Sequence, residues 1–175
     1  MKIFVCRICG EVYLGKDISP SCPFCGVENK FLVSAEEWRD ENNIELTEVS
    51  RSNLKKALDL ELSNTAFYEC IVKTISNQEL AKMFKGLFKV EREHASIYKK
   101  ILKMEQVPEI KEVCVDDIEK CLEESFFREN KAVAFYKKAI DEATEPRVKE
   151  VFTAIMNVEK DHIALDSEMK EKFKE

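Results

Sequence analysis

The chain has 175 residues, 45% hydrophobic and 35% charged, enough to bury a core of one domain with a small appendage. Its net charge is −6, from 28 basic and 34 acidic residues, and no lysine or arginine block grips phosphates, which argues against nucleic acid as a partner. No apolar run approaches the roughly 20 residues that span a bilayer, and Met1 to Val5 lacks the apolar region of a signal peptide, so a cytoplasmic protein with no membrane partner is expected.

Residues 1–34 hold Gly10, Gly15, Gly26, Pro20 and Pro23, most of the helix breakers in a chain with only four glycines and four prolines. They also hold Cys6-x2-Cys9 and Cys22-x2-Cys25, two tight turns that offer four thiolates to one tetrahedral iron or zinc ion. A zinc ribbon that only folds the N-terminus would satisfy the same spacing. Gly10 and Gly26 follow the second cysteine of each pair, where a missing side chain lets backbone N–H groups turn toward sulfur and tune an iron site. In a reducing compartment this pattern favours metal over disulfides, and Cys70, Cys114 and Cys121, scattered through helical sequence, read as small core or surface residues. Residues 35–50 form a polar connector with Trp38 as its candidate anchor.

From residue 51 to 175 the period is helical. Four stripes step by three and four: Leu54 to Ile75, Leu80 to Ile101, Ile118 to Ile140 and Val148 to Met169. Ser76-x-x-Glu79 has capping-box spacing for the second helix, and Pro146 sits where a fourth helix would begin. Both joints are short, so two antiparallel hairpins are expected. Between them Met104 to Val115 contains Pro108; ~12 extended residues reach about 40 Å, the length of a helix of ~25 residues at about 38 Å. That connection suits the long crossover of a ferritin-like bundle. An offset of 68 residues carries Glu61, Ala66, Phe67, Tyr68, Phe84, Val90, Glu91 and His94 onto Glu129, Ala134, Phe135, Tyr136, Phe152, Val158, Glu159 and His162, so the bundle is a duplicated hairpin.

Each stripe contains a carboxylate, which is costly to bury unless paired or bound to metal. Glu91 and His94, like Glu159 and His162, are three apart and share a helical face, and Glu61 and Glu129 come from the other arms. Two Glu helices with two Glu-x-x-His helices form the ligand set of di-iron and di-manganese carboxylate bundles. Tyr68 and Tyr136, two turns after Glu61 and Glu129, are candidates to hydrogen-bond the carboxylates of the opposing hairpin, or else core aromatics; Tyr98 and Asp166 are candidate partners of His94 and His162.

With VCRICGEVY and SCPFCG at one end and these six ligands at the other, the sequence resembles the rubrerythrins over nearly its whole length. The module precedes the bundle, so it is similar to the reverse rubrerythrins of anaerobes. The resemblance implies one iron held by Cys6, Cys9, Cys22 and Cys25, with zinc a possible substitute in recombinant protein, and two irons held by Glu61, Glu91, His94, Glu129, Glu159 and His162. It implies reduction of hydrogen peroxide, and of oxygen as a further oxidant, with electrons from an NAD(P)H-dependent reductase. One departure stands out. Familiar rubrerythrins carry a second glutamate three residues after the third-helix ligand, tied to a redox-linked exchange of glutamate for histidine; here that position is Ala132, and Glu124 points elsewhere.

Other readings use the same bundle: a ferroxidase or iron-storage protein, a di-manganese catalase, or a non-enzymatic metal sensor. The four-cysteine module beside a redox-capable bundle sets the peroxidase apart. The length of the connector leads to the expectation of a homodimer in which one chain's module docks on its partner's bundle, with hairpin exchange as a further possibility.

Overall fold

The structure is a computed structural model and describes residues 1–114 and 117–174. Val115 and Glu175, the expected ends of the crossover and the bundle, lie outside the described residues. The protein is mainly α, a ferritin-like four-helix bundle with a small N-terminal metal-binding module.

In the module, β1 (Lys2–Cys6) is the centre of a three-stranded antiparallel sheet, flanked by β2 (Val12–Gly15) and β3 (Leu32–Ser34). The first Cys-x-x-Cys turn leaves β1 at Cys6, and the second, closed by the Ser21–Glu28 bridge, faces it. Gly10 and Gly26 take φ near +80°, a region that costs little only without a side chain, and each donates its N–H to the carbonyl of the first cysteine of its pair. The N–H that reaches sulfur is that of the next residue, Glu11, to Cys9 Sγ at 3.5 Å.

The bundle comprises α1 (Glu48–Thr74), α2 (Gln78–Leu102), α3 (Ile118–Glu142) and α4 (Pro146–Lys172). The caps show why the helices start where they do. Thr47 and Asp117 accept N–H bonds from Ser50 and Lys120, and Pro146 opens α4. The capping box expected at Ser76 does not form; Asn77, one residue later, accepts from Glu79 and Leu80 N–H with its shorter side-chain reach. α2 ends on Lys103 in the left-handed conformation, and the crossover then runs up beside α1.

The expectation of three ordinary cysteines is corrected at this point: Cys70 on α1 and Cys114 on the crossover are joined in a disulfide, with Cα atoms 5.2 Å apart. The crossover has no hydrophobic period, so its register against α1 was invisible in sequence.

Within the single chain the connector turns back and the module sits on the bundle. Arg147, at the start of α4, donates to Asn42 Oδ1, Glu41 and the Arg7 carbonyl, while Arg7 pairs with Glu41. Glu41 and Asn42 therefore tie the connector to the start of α4, and Trp38 is half-buried. Cys6, Ile8, Cys9, Cys25 and Val27 share one apolar cluster with Leu102, Val148 and Val158, while Phe67, Ile71, Leu80, Phe84 and Leu122 form a second cluster at the far end of the bundle. Gly26 fits against α4 only because it lacks a side chain: a Cβ there would meet Val158 Cγ1 at 2.9 Å.

Candidate metal centres

The four module sulfurs are buried and lie within 4.8 Å of one another. Cys6 to Cys25 and Cys9 to Cys22 are each 3.8 Å. A tetrahedron of metal–sulfur bonds of about 2.3 Å has edges of about 3.8 Å, so the thiolates stand at the separation one ion requires. Lys100 of α2 donates to the Cys9 carbonyl at 2.8 Å, which places a positive charge beside this anionic site.

In the bundle, Glu61, Glu91, His94 and Glu159 form one cluster of candidate ligands, and Glu91, Glu129, Glu159 and His162 form a second, each within 4.8 Å. Glu91 and Glu159 belong to both, the placement of two bridging carboxylates, with Glu61 and Glu129 terminal. His94 Nδ1 lies 3.0 Å from Glu159 and 3.7 Å from Glu91; His162 Nδ1 lies 3.0 Å from Glu91 and 3.1 Å from Glu159. All six side chains are buried.

Apart from these ion-pair approaches, the inward-facing atoms are left without hydrogen bonds. Glu61 Oε2, both Glu91 oxygens, Glu129 Oε2, Glu159 Oε1 and His94 Nδ1 lack hydrogen-bond partners among the described residues. Buried polar groups are rarely left so, and four carboxylates with two imidazoles around one space are the donor set that suits two divalent ions. Both this site and the thiolate site fit iron. Without ions, burial raises Glu61 and Glu129 well above the usual carboxylate range, helped by the charges of Glu91 and Glu159. His94, although burial opposes its charge, is pushed up to about 10 by Glu159 and Glu91.

The outward-facing atoms are fully engaged. Tyr136 donates to Glu61 Oε1 and Tyr68 to Glu129 Oε1, each across to the opposing hairpin. Burial holds both phenols well above their ordinary pKa, so they stay protonated donors. Tyr98 donates to Tyr136 at 2.9 Å rather than to His94. Asp166 accepts from Ser125 at 2.7 Å rather than from His162, and Ser125 lies 3.0 Å from the Tyr68 hydroxyl. Ser125 was missed from sequence; its one signal is a hydroxyl in an apolar stripe, one turn before Glu129.

His94 Nε2 lies 3.0 Å from the backbone carbonyl of Cys25. A carbonyl only accepts, so Nε2 carries a proton, and Nδ1, on the carboxylate side, is the atom that would bind an ion. One hydrogen bond thus joins a thiolate ligand residue of the first site to an imidazole of the second.

Comparison with known proteins agrees with this geometry. Residues 52–169 match the family model described as Rubrerythrin. The chain is 30% identical over 117 residues to "Reverse rubrerythrin-1" of Clostridium acetobutylicum, covering 58% of this chain and 62% of that protein, so the match spans less than two thirds of the relative. It is 28% identical over 114 residues to "Uncharacterized protein YhjR" of Bacillus subtilis, covering 63% of this chain and 79% of that one. No solved structure gives a significant match.

Proposed function

The chain belongs to the rubrerythrin family, with its four-cysteine module ahead of the bundle, and from that premise we propose that it is a peroxidase that reduces hydrogen peroxide to water. The overall change is H2O2 + 2 H⁺ + 2 e⁻ → 2 H2O. Iron among the carboxylates and imidazoles would supply the two electrons that break the O–O bond, and iron among the thiolates would replace them singly.

The protein's own groups divide the work. Glu91 and Glu159 face both histidines and would hold the two ions as a pair, while Glu61 and Glu129 would each hold one. Tyr136 and Tyr68 fix the terminal carboxylates and keep a proton on each outer oxygen contact. The two apolar clusters keep bulk water away from this polar layer. The observation that carries the reading is the His94–Cys25 hydrogen bond, a short bonded route between the two sites within one chain. A storage protein or sensor has no use for such a route. The electrons are proposed to come from an NAD(P)H-dependent reductase that docks on the exposed side of the module.

The test is to reduce the thiolate-bound iron, add peroxide and follow the return of its oxidised colour in wild type, Glu91→Ala and His94→Asn. Rapid return in wild type with loss in both variants is expected. Equal rates in all three would show that the bundle is not where peroxide reacts.

A further inference from the structure

The seam between α1 and α3 is covered along only part of its length. Glu112 of the crossover accepts from Ser63 Oγ at 3.0 Å and pairs with Arg128, which also donates to Ser63, and this closes the seam there. Toward the start of α1 the seam opens into a groove of about 430 Å³ whose lining includes Lys56, Asp59, Leu60, Lys131 and Phe135. Asn64 also lines this groove, yet it is 3% exposed, and its Nδ2 has no hydrogen-bond partner among the described residues.

Asn64 follows Glu61 by three residues on α1, so the two share a helical face, with the amide one turn along from the terminal carboxylate. The repeat offset of 68 carries position 64 onto 132, and Ala132 is the fully buried residue one turn after Glu129. Beyond one terminal glutamate stands an amide and beyond the other only a methyl group. A buried N–H without a protein acceptor is destabilising unless a water or a ligand oxygen satisfies it.

We propose that the α1–α3 groove is the substrate entrance and that Asn64 Nδ2 holds an oxygen of the incoming peroxide beside Glu61. The role rests on the peroxidase reading above and adds the substrate-positioning residue to it. Peroxide suits the place: it is small enough for a site between packed helices, uncharged and so not repelled by the carboxylates, and it offers acceptor oxygens to the amide. The groove mouth carries both signs of charge and selects no large ion.

The experiment uses the full, iron-loaded chain with azide as the probe, followed by visible absorption, and compares wild type with Asn64→Ala and Asn64→Leu. Leu fills nearly the same volume but has no donor. Loss of one hydrogen bond is expected to weaken azide roughly 3- to 10-fold in both variants, with the absorption maximum unmoved. In peroxide turnover KM should rise by a similar factor while kcat changes little. Neither variant should melt below wild type, because each removes an unsatisfied buried donor; a purely structural amide would lose stability instead. Wild-type azide affinity in Asn64→Leu, or in both variants, overturns the assignment. Wild type that ignores peroxide defeats the peroxidase reading and leaves the azide comparison to decide the role of Asn64.

Discussion

The two halves of the bundle site carry the same ligands on different supports. Glu61, Glu91 and His94 repeat as Glu129, Glu159 and His162, and Tyr68 repeats as Tyr136. Around them the correspondence fails. Tyr98, which backs Tyr136, is replaced at the equivalent place by Asp166, too short to reach Tyr68, and Ser125 fills the gap where the first half has Ala57. His94 touches the module through Cys25, whereas the His162 ring faces the carboxylates of Glu91, Glu129 and Glu159 and the His94 ring. Metal holding requires the same chemistry twice. On the proposed reading, electron entry, proton supply and substrate approach would require it once, and the halves diverge around the ligands rather than at them.

The sharpest way to break the duplication is at the carboxylates that serve both halves. Glu91→Ala or Glu159→Ala should lose both irons, whereas Glu61→Ala or Glu129→Ala should lose mainly one, because only the first pair belongs to both ligand clusters. Peroxide turnover in the first two should fall more than about 100-fold, beyond what loss of a supporting hydrogen bond produces. Iron per chain, measured beside the melting temperature, checks this. Equal iron loss in all four variants would mean that the bridging and terminal roles are misassigned.

A second difference between the halves is the tether. Cys70 on α1 is tied to the crossover, while the equivalent α3 residue is Lys138, which pairs with Glu142 on its own helix. The bridge spans a sequence separation of 44, so reducing it, or making Cys70→Ser, should cost about 2–4 kcal/mol of stability. Denaturant titration with and without reductant reads this directly. The same treatment should leave the α3–α4 hairpin's protection from hydrogen exchange largely unchanged until global unfolding.

Much of this molecule was legible in its sequence, and what was not has common causes. The six candidate ligands stood out because a charge in an apolar stripe is costly and because both histidines fell at equivalent repeat positions. The supports were silent, since Ser125 meets Asp166 on another helix 41 residues away and nothing in a lone serine announces its partner. The contacts that seat the module on the bundle were silent for a related reason. Within this chain the connector is held by Arg147, which reads as an ordinary surface charge until Glu41, Asn42 and the Arg7 carbonyl surround it. Gly26 shows what that docking demands. Gly26→Ala should cost about 1–3 kcal/mol by overpacking against Val158. It should also slow peroxide-driven reoxidation of the thiolate iron, while a small-molecule reductant still reduces the bundle at the wild-type rate. Val158→Ala in the same chain should restore part of the loss, and its failure to do so would argue that the close approach is incidental.

The smallest expected effect concerns the helix starts, where the halves again differ. Position 77 caps α2 with an asparagine that accepts from its own helix; the equivalent Glu145 does not cap α4 with its side chain but accepts from Thr47 N–H at 2.6 Å and from the Ser50 hydroxyl, joining the start of α1 to that of α4. Burial opposes ionisation of Glu145, yet these hydrogen bonds outweigh it and hold the carboxyl down to about 2. A carboxylate with a depressed folded-state pKa stabilises above its unfolded value, 4.5, and that contribution disappears as pH falls from there toward 2. The group is partly exposed, so solvent screening limits the effect to about 1 kcal/mol. Asn77 does not titrate, and Asn77→Ala should cost about 1 kcal/mol at every pH. Melting curves between pH 7 and pH 2.5 separate the two: Glu145→Gln should cost its increment at neutral pH and converge on wild type in acid, whereas Asn77→Ala should run parallel to wild type throughout. A Glu145→Gln curve that also ran parallel would show that the α1–α4 junction owes nothing to the charge on Glu145.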